Sequence, residues 1–78
     1  MNSLTPGQQE VLNVLRLVKQ PLPDHVLVPL VQHIGELLQP SSGIRSRRAE
    51  LLRTGCVEQA LATTKMPSGR HAKQYLAR

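Results

Sequence analysis

The sequence predicts a small, mainly α domain of three helices completed by a small β-hairpin. Three observations predict it. Apolar residues recur at helical spacing in three stretches separated by Pro- and Gly-bearing breaks, and only the last third alternates like a strand pair. The 78 residues are 40% apolar with one Tyr and neither Phe nor Trp. A core built from Leu, Val, Ile and Ala suits packed helices better than an aromatic-rich sandwich. At this length one domain forms, burying only about 60% of the surface its unfolded chain exposes.

The first helix is expected over roughly residues 6–19. Thr5 is a candidate N-cap, Pro6 suits the first turn, and Gln8 completes a capping box. Val11, Leu12, Val14, Leu15 and Val18 form one apolar face, and Pro21 and Pro23 stop the helix. A second helix is expected over about 25–35, with Asp24 as N-cap and Leu27, Leu30, Val31 and Ile34 as its stripe. Pro29 either kinks this helix or moves its start toward Val28. Gly35 and Pro40 bracket its end, with Leu37 and Leu38 expected to fold back onto the core.

Ser41 or Ser42 can cap a third helix over about 42–54, whose buried stripe is Ile44, Leu51 and Leu52. Gly55 closes it in left-handed conformation, letting Cys56 pack back on Leu51 as a buried small apolar group. The hairpin is expected over about 56–76: a strand at 56–62, turn chemistry at 63–69 through Pro67-Ser68-Gly69, and a second strand at 70–76.

The same composition excludes several function classes. One Cys permits no internal disulfide framework and no Cys-based zinc knuckle. No apolar run approaches ~18 residues, so no membrane span is expected. The residues after Met1 do not read as a signal peptide, and a cytoplasmic, nucleoid-associated location in a bacterium or host cell is expected. His25, His33 and His71 lack metal-ligand spacing, the few carboxylates form no recognisable catalytic pair, and no Gly-rich phosphate loop occurs. Neither an enzyme nor a cofactor is expected.

Charge is segregated along the chain. Residues 1–40 carry a balance of −1, whereas residues 41–78 carry +6, giving the net +5. Arginines outnumber lysines, and guanidinium forks match phosphates and guanine edges, so a polyanionic partner is favoured.

The segment from Ile44 to Val57, Ile-Arg-Ser-Arg-Arg-Ala-Glu-Leu-Leu-Arg-Thr-Gly-Cys-Val, resembles the recognition helix and first strand of winged helix-turn-helix DNA-binding proteins. In that family an apolar residue starts the helix, a leucine follows seven positions later, and a Gly-apolar-Val run leads into the strand. Ile44, Leu51, Gly55, Cys56 and Val57 fit. Residues 42–51 look particularly like short phage and actinobacterial regulators, whose wing carries a Ser-Gly-Arg matched by Ser68-Gly69-Arg70. The likeness covers about half the chain closely and the first two helices only by pattern. Two departures stand out: a connection from Ile34 to Ser41 longer than a tight turn, and Arg48 where the family buries an aliphatic residue.

A helical wheel assigns the third helix's faces. With Ile44 at zero and ~100° per residue, Leu51 falls at ~340°, Leu52 at ~80° and Arg48 at ~40°, inside the apolar sector. The wheel thus gives Arg48 a structural role, with Glu10, Asp24 or Glu36 available to its guanidinium, and leaves a phosphate contact as the alternative; Gly55, as the helix-closing residue, is structural too. In a major groove Arg45, Ser46 and Ala49 would read bases. Ser42, Arg47, Arg53 and, in the wing, Lys65, Arg70, His71 and Lys73 would meet the backbone. Tyr75 is expected in the core, and a lone aromatic argues against single-strand stacking.

The resemblance implies sequence-specific binding of double-stranded DNA by a small transcriptional regulator of phage or mobile-element type. Two alternatives stay open: a winged-helix module contacting an acidic protein partner, and a replication or recombination accessory binding DNA non-specifically. A homodimer through helix one, where Leu17 lies off the main apolar face, is also open.

Overall fold

Thr5 opens the first helix by reciprocal capping. Its hydroxyl accepts the Gln8 N–H (3.3 Å) while the Gln8 side-chain oxygen accepts the Thr5 N–H (3.0 Å), which satisfies two of the donors that a helix start leaves unpaired. The computed structural model describes residues 3–65 and 67–78, without the side chains of Ala62, Thr64 and Lys65. Helix α1 spans Pro6–Val18 and stops one residue before the expected end, because Lys19 turns left-handed (φ 58°). Val11, Leu12, Val14 and Leu15 are buried.

A short strand β1, Leu22–Pro23, follows. It was not expected from the sequence. The prolines that stop α1 also favour extended backbone, and Pro is tolerated on a sheet edge. Two residues show no alternation, so this strand exists only through its partner.

Helix α2 spans Asp24–Ile34, with Pro23 at the capping position. Asp24 is not the cap; it lies in the first turn and makes no capping bond. The helix continues through Pro29. That proline forfeits the bond to the His25 carbonyl, and both residues are exposed, so water can take the freed acceptor.

The connection to α3 also departs from expectation. Leu37 and Leu38 do not fold back; they are 48% and 83% exposed. The Glu10 carboxylate accepts the Glu36 and Leu37 N–H groups (2.9 and 3.1 Å) and the Gln39 side-chain amide (3.1 Å). Burial raises the Glu10 pKa, but the bonds from Gln39, Leu37 and Glu36 outweigh it and hold the carboxyl below its ordinary value. The connector is thus fastened by polar bonds, leaving its leucines outward. Gly35 permits this closeness, since a Cβ there would run into the Glu10 carboxylate and the Val31 carbonyl.

Helix α3 spans Ser41–Thr54, with Pro40 rather than a serine at the capping position and no side-chain cap. At its other end Gly55 is left-handed (φ 84°), and Cys56 N–H reaches the Leu51 carbonyl at 3.0 Å while Gly55 N–H reaches Leu52 at 3.3 Å. This is a Schellman ending, which a glycine accommodates without Cβ strain. Cys56 is half-buried rather than buried.

Strands β2 (Val57–Lys65) and β3 (His71–Ala77) form the hairpin, and β1 pairs with the other edge of β3 through Leu22↔Tyr75 and Pro23↔Gln74. The sheet is antiparallel, in the order β1-β3-β2. Strand β2 runs beyond the expected turn at 63: Thr63 pairs with Lys73, Thr64 with Ala72 and Lys65 with His71. The Thr pair read as turn chemistry serves instead as β-branched strand residues. A register shift between Gln59 and Thr63 sets three residues of β2 opposite Gln74 alone. Such a bulge breaks the alternation that would have marked the strand.

The result is three helices with a three-stranded antiparallel sheet, a mixed α/β architecture. Leu12, Leu15, Leu27, Val31, Ile44, Leu51 and Val57 centre the core, and Tyr75 closes it from β3 at 6% exposure. Among the described residues no helix is long and apolar enough to cross a membrane.

Candidate nucleic-acid interface

Helix α3 is amphipathic in a mixed way, with Ile44 and Leu51 inward and a basic, polar surface outward. Ser42, Arg45, Ser46 and Arg53 are exposed, whereas Ala49 is half-buried, so it presents less surface than a fully outward position would. Arg47 does not extend freely into solvent. Its Nη1 lies 3.3 Å from Glu50 Oε1, which also accepts the Gln8 amide at 3.2 Å, and its Nε is buried without an acceptor. Gly7 lies beneath it, where a Cβ would stand 3.0 Å from that Nε. The guanidinium therefore lies over the start of α1.

Arg48 lies on the core side. It holds Asp24 in a bidentate pair, Nε to Oδ1 at 2.9 Å and Nη2 to Oδ2 at 2.6 Å, and stacks 4.1 Å above the Tyr75 ring. Burial disfavours its charge, yet the hydrogen bonds and charge of Asp24, with Tyr75, outweigh that and hold its pKa above the ordinary value. The wheel left three carboxylates open as partners. Glu10 is spent on the connector, so Asp24 takes the role. One side chain thereby ties α2, α3 and β3 together.

In the hairpin Arg70, His71 and Lys73 are exposed. His71 Nδ1 lies 3.0 Å from the Thr63 hydroxyl, a cross-strand link that orients the ring. The Lys65 side chain lies outside the described residues, although its backbone pairs with His71.

Between α2, α3 and β3 opens a cleft of about 340 Å³ lined by Asp24, His25, Arg45, Ala72, Lys73 and Tyr75. Its one carboxylate is already matched by Arg48. Among the described residues Arg45 and Lys73 have no ion-pair partner, so their charge is uncompensated there. Sequence reasoning assigned His25 no role. Its neighbour Asp24 marked a helix start, but only the packing of α2 on α3 and β3 brings the imidazole beside Arg45 and Lys73.

A larger concavity, about 450 Å³, lies between α1 and the end of α2, where Leu17, Ile34 and Leu37 are exposed beside Glu10 and Glu36. No cation lines it, and it shares no residue with the basic cleft. No protein-family model, curated protein or solved structure matches this chain.

Proposed function

We propose that the chain binds double-stranded DNA as a small winged helix-turn-helix regulator, with α3 in the major groove and the β2–β3 hairpin as the wing. The observation that carries this reading is the convergence of Arg45 from α3 and Lys73 from β3, both without acidic partners, on one cleft. With Asp24 matched by Arg48, Arg45 and Lys73 leave the cleft net positive, and a positive cleft concentrates a polyanion. Near the N-terminal end of α3, Arg45 can take a guanine edge bidentately, with Ser46 and the small Ala49 beside it.

Ser42, Arg53, Lys65, Arg70, His71 and Lys73 then serve the phosphates. Arg47 joins them on releasing Glu50, a partly exposed pair of low cost to break. Asp24, the acid that lines the cleft, stays paired through both oxygens with Arg48, which limits its repulsion of phosphate.

The experiment is titration of labelled duplex DNA across a salt series, followed by selection from a random pool. Log affinity should fall linearly with log salt, by ~0.9 per phosphate engaged. Recovery of one enriched sequence supports a specific regulator. Binding without enrichment favours a non-specific accessory. No binding to any duplex at low salt ends the DNA reading.

A further inference from the structure

We propose that the concavity between α1 and the end of α2 is a docking groove for a partner protein, and that its occupant is an amphipathic helix with leucine-like residues on one face and a lysine or arginine beside them. The groove shares no residue with the basic cleft, so this reading goes beyond DNA binding and is independent of it.

Three elements expose apolar side chains to this one space: Leu17 of α1 at 67%, Ile34 of α2 at 44% and Leu37 of the connector at 48%. Single apolar residues scattered over a surface call for no explanation, but a convergent set with a polar rim marks an interaction site. Polar bonds hold the set open. Glu10 accepts the Glu36 and Leu37 N–H groups, and the Gln39 amide lies 3.3 Å from the Gly7 carbonyl as well as 3.1 Å from Glu10. Leu38 then turns the chain at a φ of 54°, a left-handed conformation unfavourable for leucine. Strain of this kind persists where the surrounding contacts enforce it. The connector backbone is thereby fixed with Leu37 lining the groove instead of the core.

The shape selects a helix. Pro6, Gln9, Asn13 and Leu17 line the groove at helical spacing along α1, a row ~16 Å long that matches about three turns of an incoming helix. Among the described residues no strand lines it, and the Glu36 and Leu37 N–H groups are already taken by Glu10. An extended segment would find no backbone partners there, whereas a helix satisfies its own and presents an apolar face. The charge selects a basic one. Glu36 lines the groove without an ion-pair partner among the described residues, and no cation lines it. A second copy docked about a two-fold axis would bring its own Glu36 to the same place, setting like charges together with no cation between them.

The test is titration of the isotope-labelled chain, followed residue by residue by NMR, with a synthetic amphipathic helix of leucine and lysine and with its leucine and glutamate counterpart. The chain carries a net charge of +5, so unspecific attraction favours the glutamate peptide and repels the lysine one. The lysine peptide should nevertheless shift the signals of Leu17, Ile34 and Leu37, and the glutamate peptide should leave these three in place. Leu17→Ser with Leu37→Ser, both at exposed positions that folding tolerates, should weaken lysine-peptide binding at least about tenfold. Glu36→Lys should weaken it about threefold or more, by a factor that shrinks as salt rises. Leu38→Asn is the control: it is 83% exposed, lies outside the groove lining, and asparagine tolerates left-handed backbone, so binding should match wild type. No shift at the groove with the lysine peptide, equal shifts with both peptides, or equal losses in Leu38→Asn and the double Ser variant would overturn the proposal. So would sedimentation showing a dimer that the double Ser variant loses, since the occupant would then be a second copy. None of these outcomes bears on duplex binding.

Discussion

Removing the Arg48 guanidinium tests whether α3 is oriented as described. Arg48→Ala deletes two charge-assisted hydrogen bonds to Asp24 and a cation stacked 4.1 Å from the Tyr75 ring. Hydrogen bonds to charged groups contribute ~1.5–3 kcal/mol each, and a cation over an aromatic face ~0.5–2 kcal/mol. The sum is not realised in full. The Asp24 side chain keeps 24% exposure, so it regains water when its partner goes, and it stays favourably placed in the first turn of α2. A net loss of about 2–3 kcal/mol is expected, against a total of roughly 4–12 kcal/mol for a chain of this size. In a melting curve this is a fall of roughly 8–24 °C. Asp24→Asn should destabilise as well, and the double variant should lose less than the two single losses added, because both remove one interaction. DNA affinity should follow the folded fraction and return on cooling. An Arg48→Ala protein that melts like wild type yet no longer binds would refute the reasoning. It would show that Arg48 faces the nucleic acid and that α3 is rotated about its axis.

The remaining predictions use the same titrations and melts. Arg45→Ala should cost ~1–3 kcal/mol for the preferred duplex and little for random DNA, while stability moves by no more than about 0.5 kcal/mol; equal losses on both DNAs would make Arg45 a phosphate contact. Lys65→Ala with Arg70→Ala should weaken all duplexes alike and reduce the magnitude of the salt slope by ~2, and an unchanged slope would remove the hairpin from the interface. Glu10, whose carboxyl pKa is lowered by folding, stabilises the protein above the unfolded carboxylate range of about 4.3, and this contribution disappears as pH falls through that range and below it. Glu10→Gln should therefore flatten the acid side of the stability–pH curve, and a curve as steep as wild type would show that Glu10 does not anchor the connector.

The sequence by itself determined what depends on neighbours a few residues away. The capping box of Thr5 and Gln8, the apolar face of α1, the left-handed stop at Gly55 and the inward position of Arg48 all follow from local spacing, because caps and helical faces are set within one or two turns. The charge division between the two halves was legible too, since it needs only counting. Tertiary structure decided the rest. Strand β1 has no pattern of its own and exists because Leu22 and Pro23 meet Tyr75 and Gln74. The bulge hid the length of β2 by breaking its alternation. Leu37 and Leu38 looked like core residues by hydropathy, but Glu10, some 26 residues upstream of the connector, holds the backbone with its carboxylate and turns them outward. Three carboxylates could have met Arg48, and packing selected Asp24. The cleft that His25 shares with Arg45 and Lys73 was hidden for the same reason: a space assembled from α2, α3 and β3 depends on distances through space, which one-dimensional spacing does not encode.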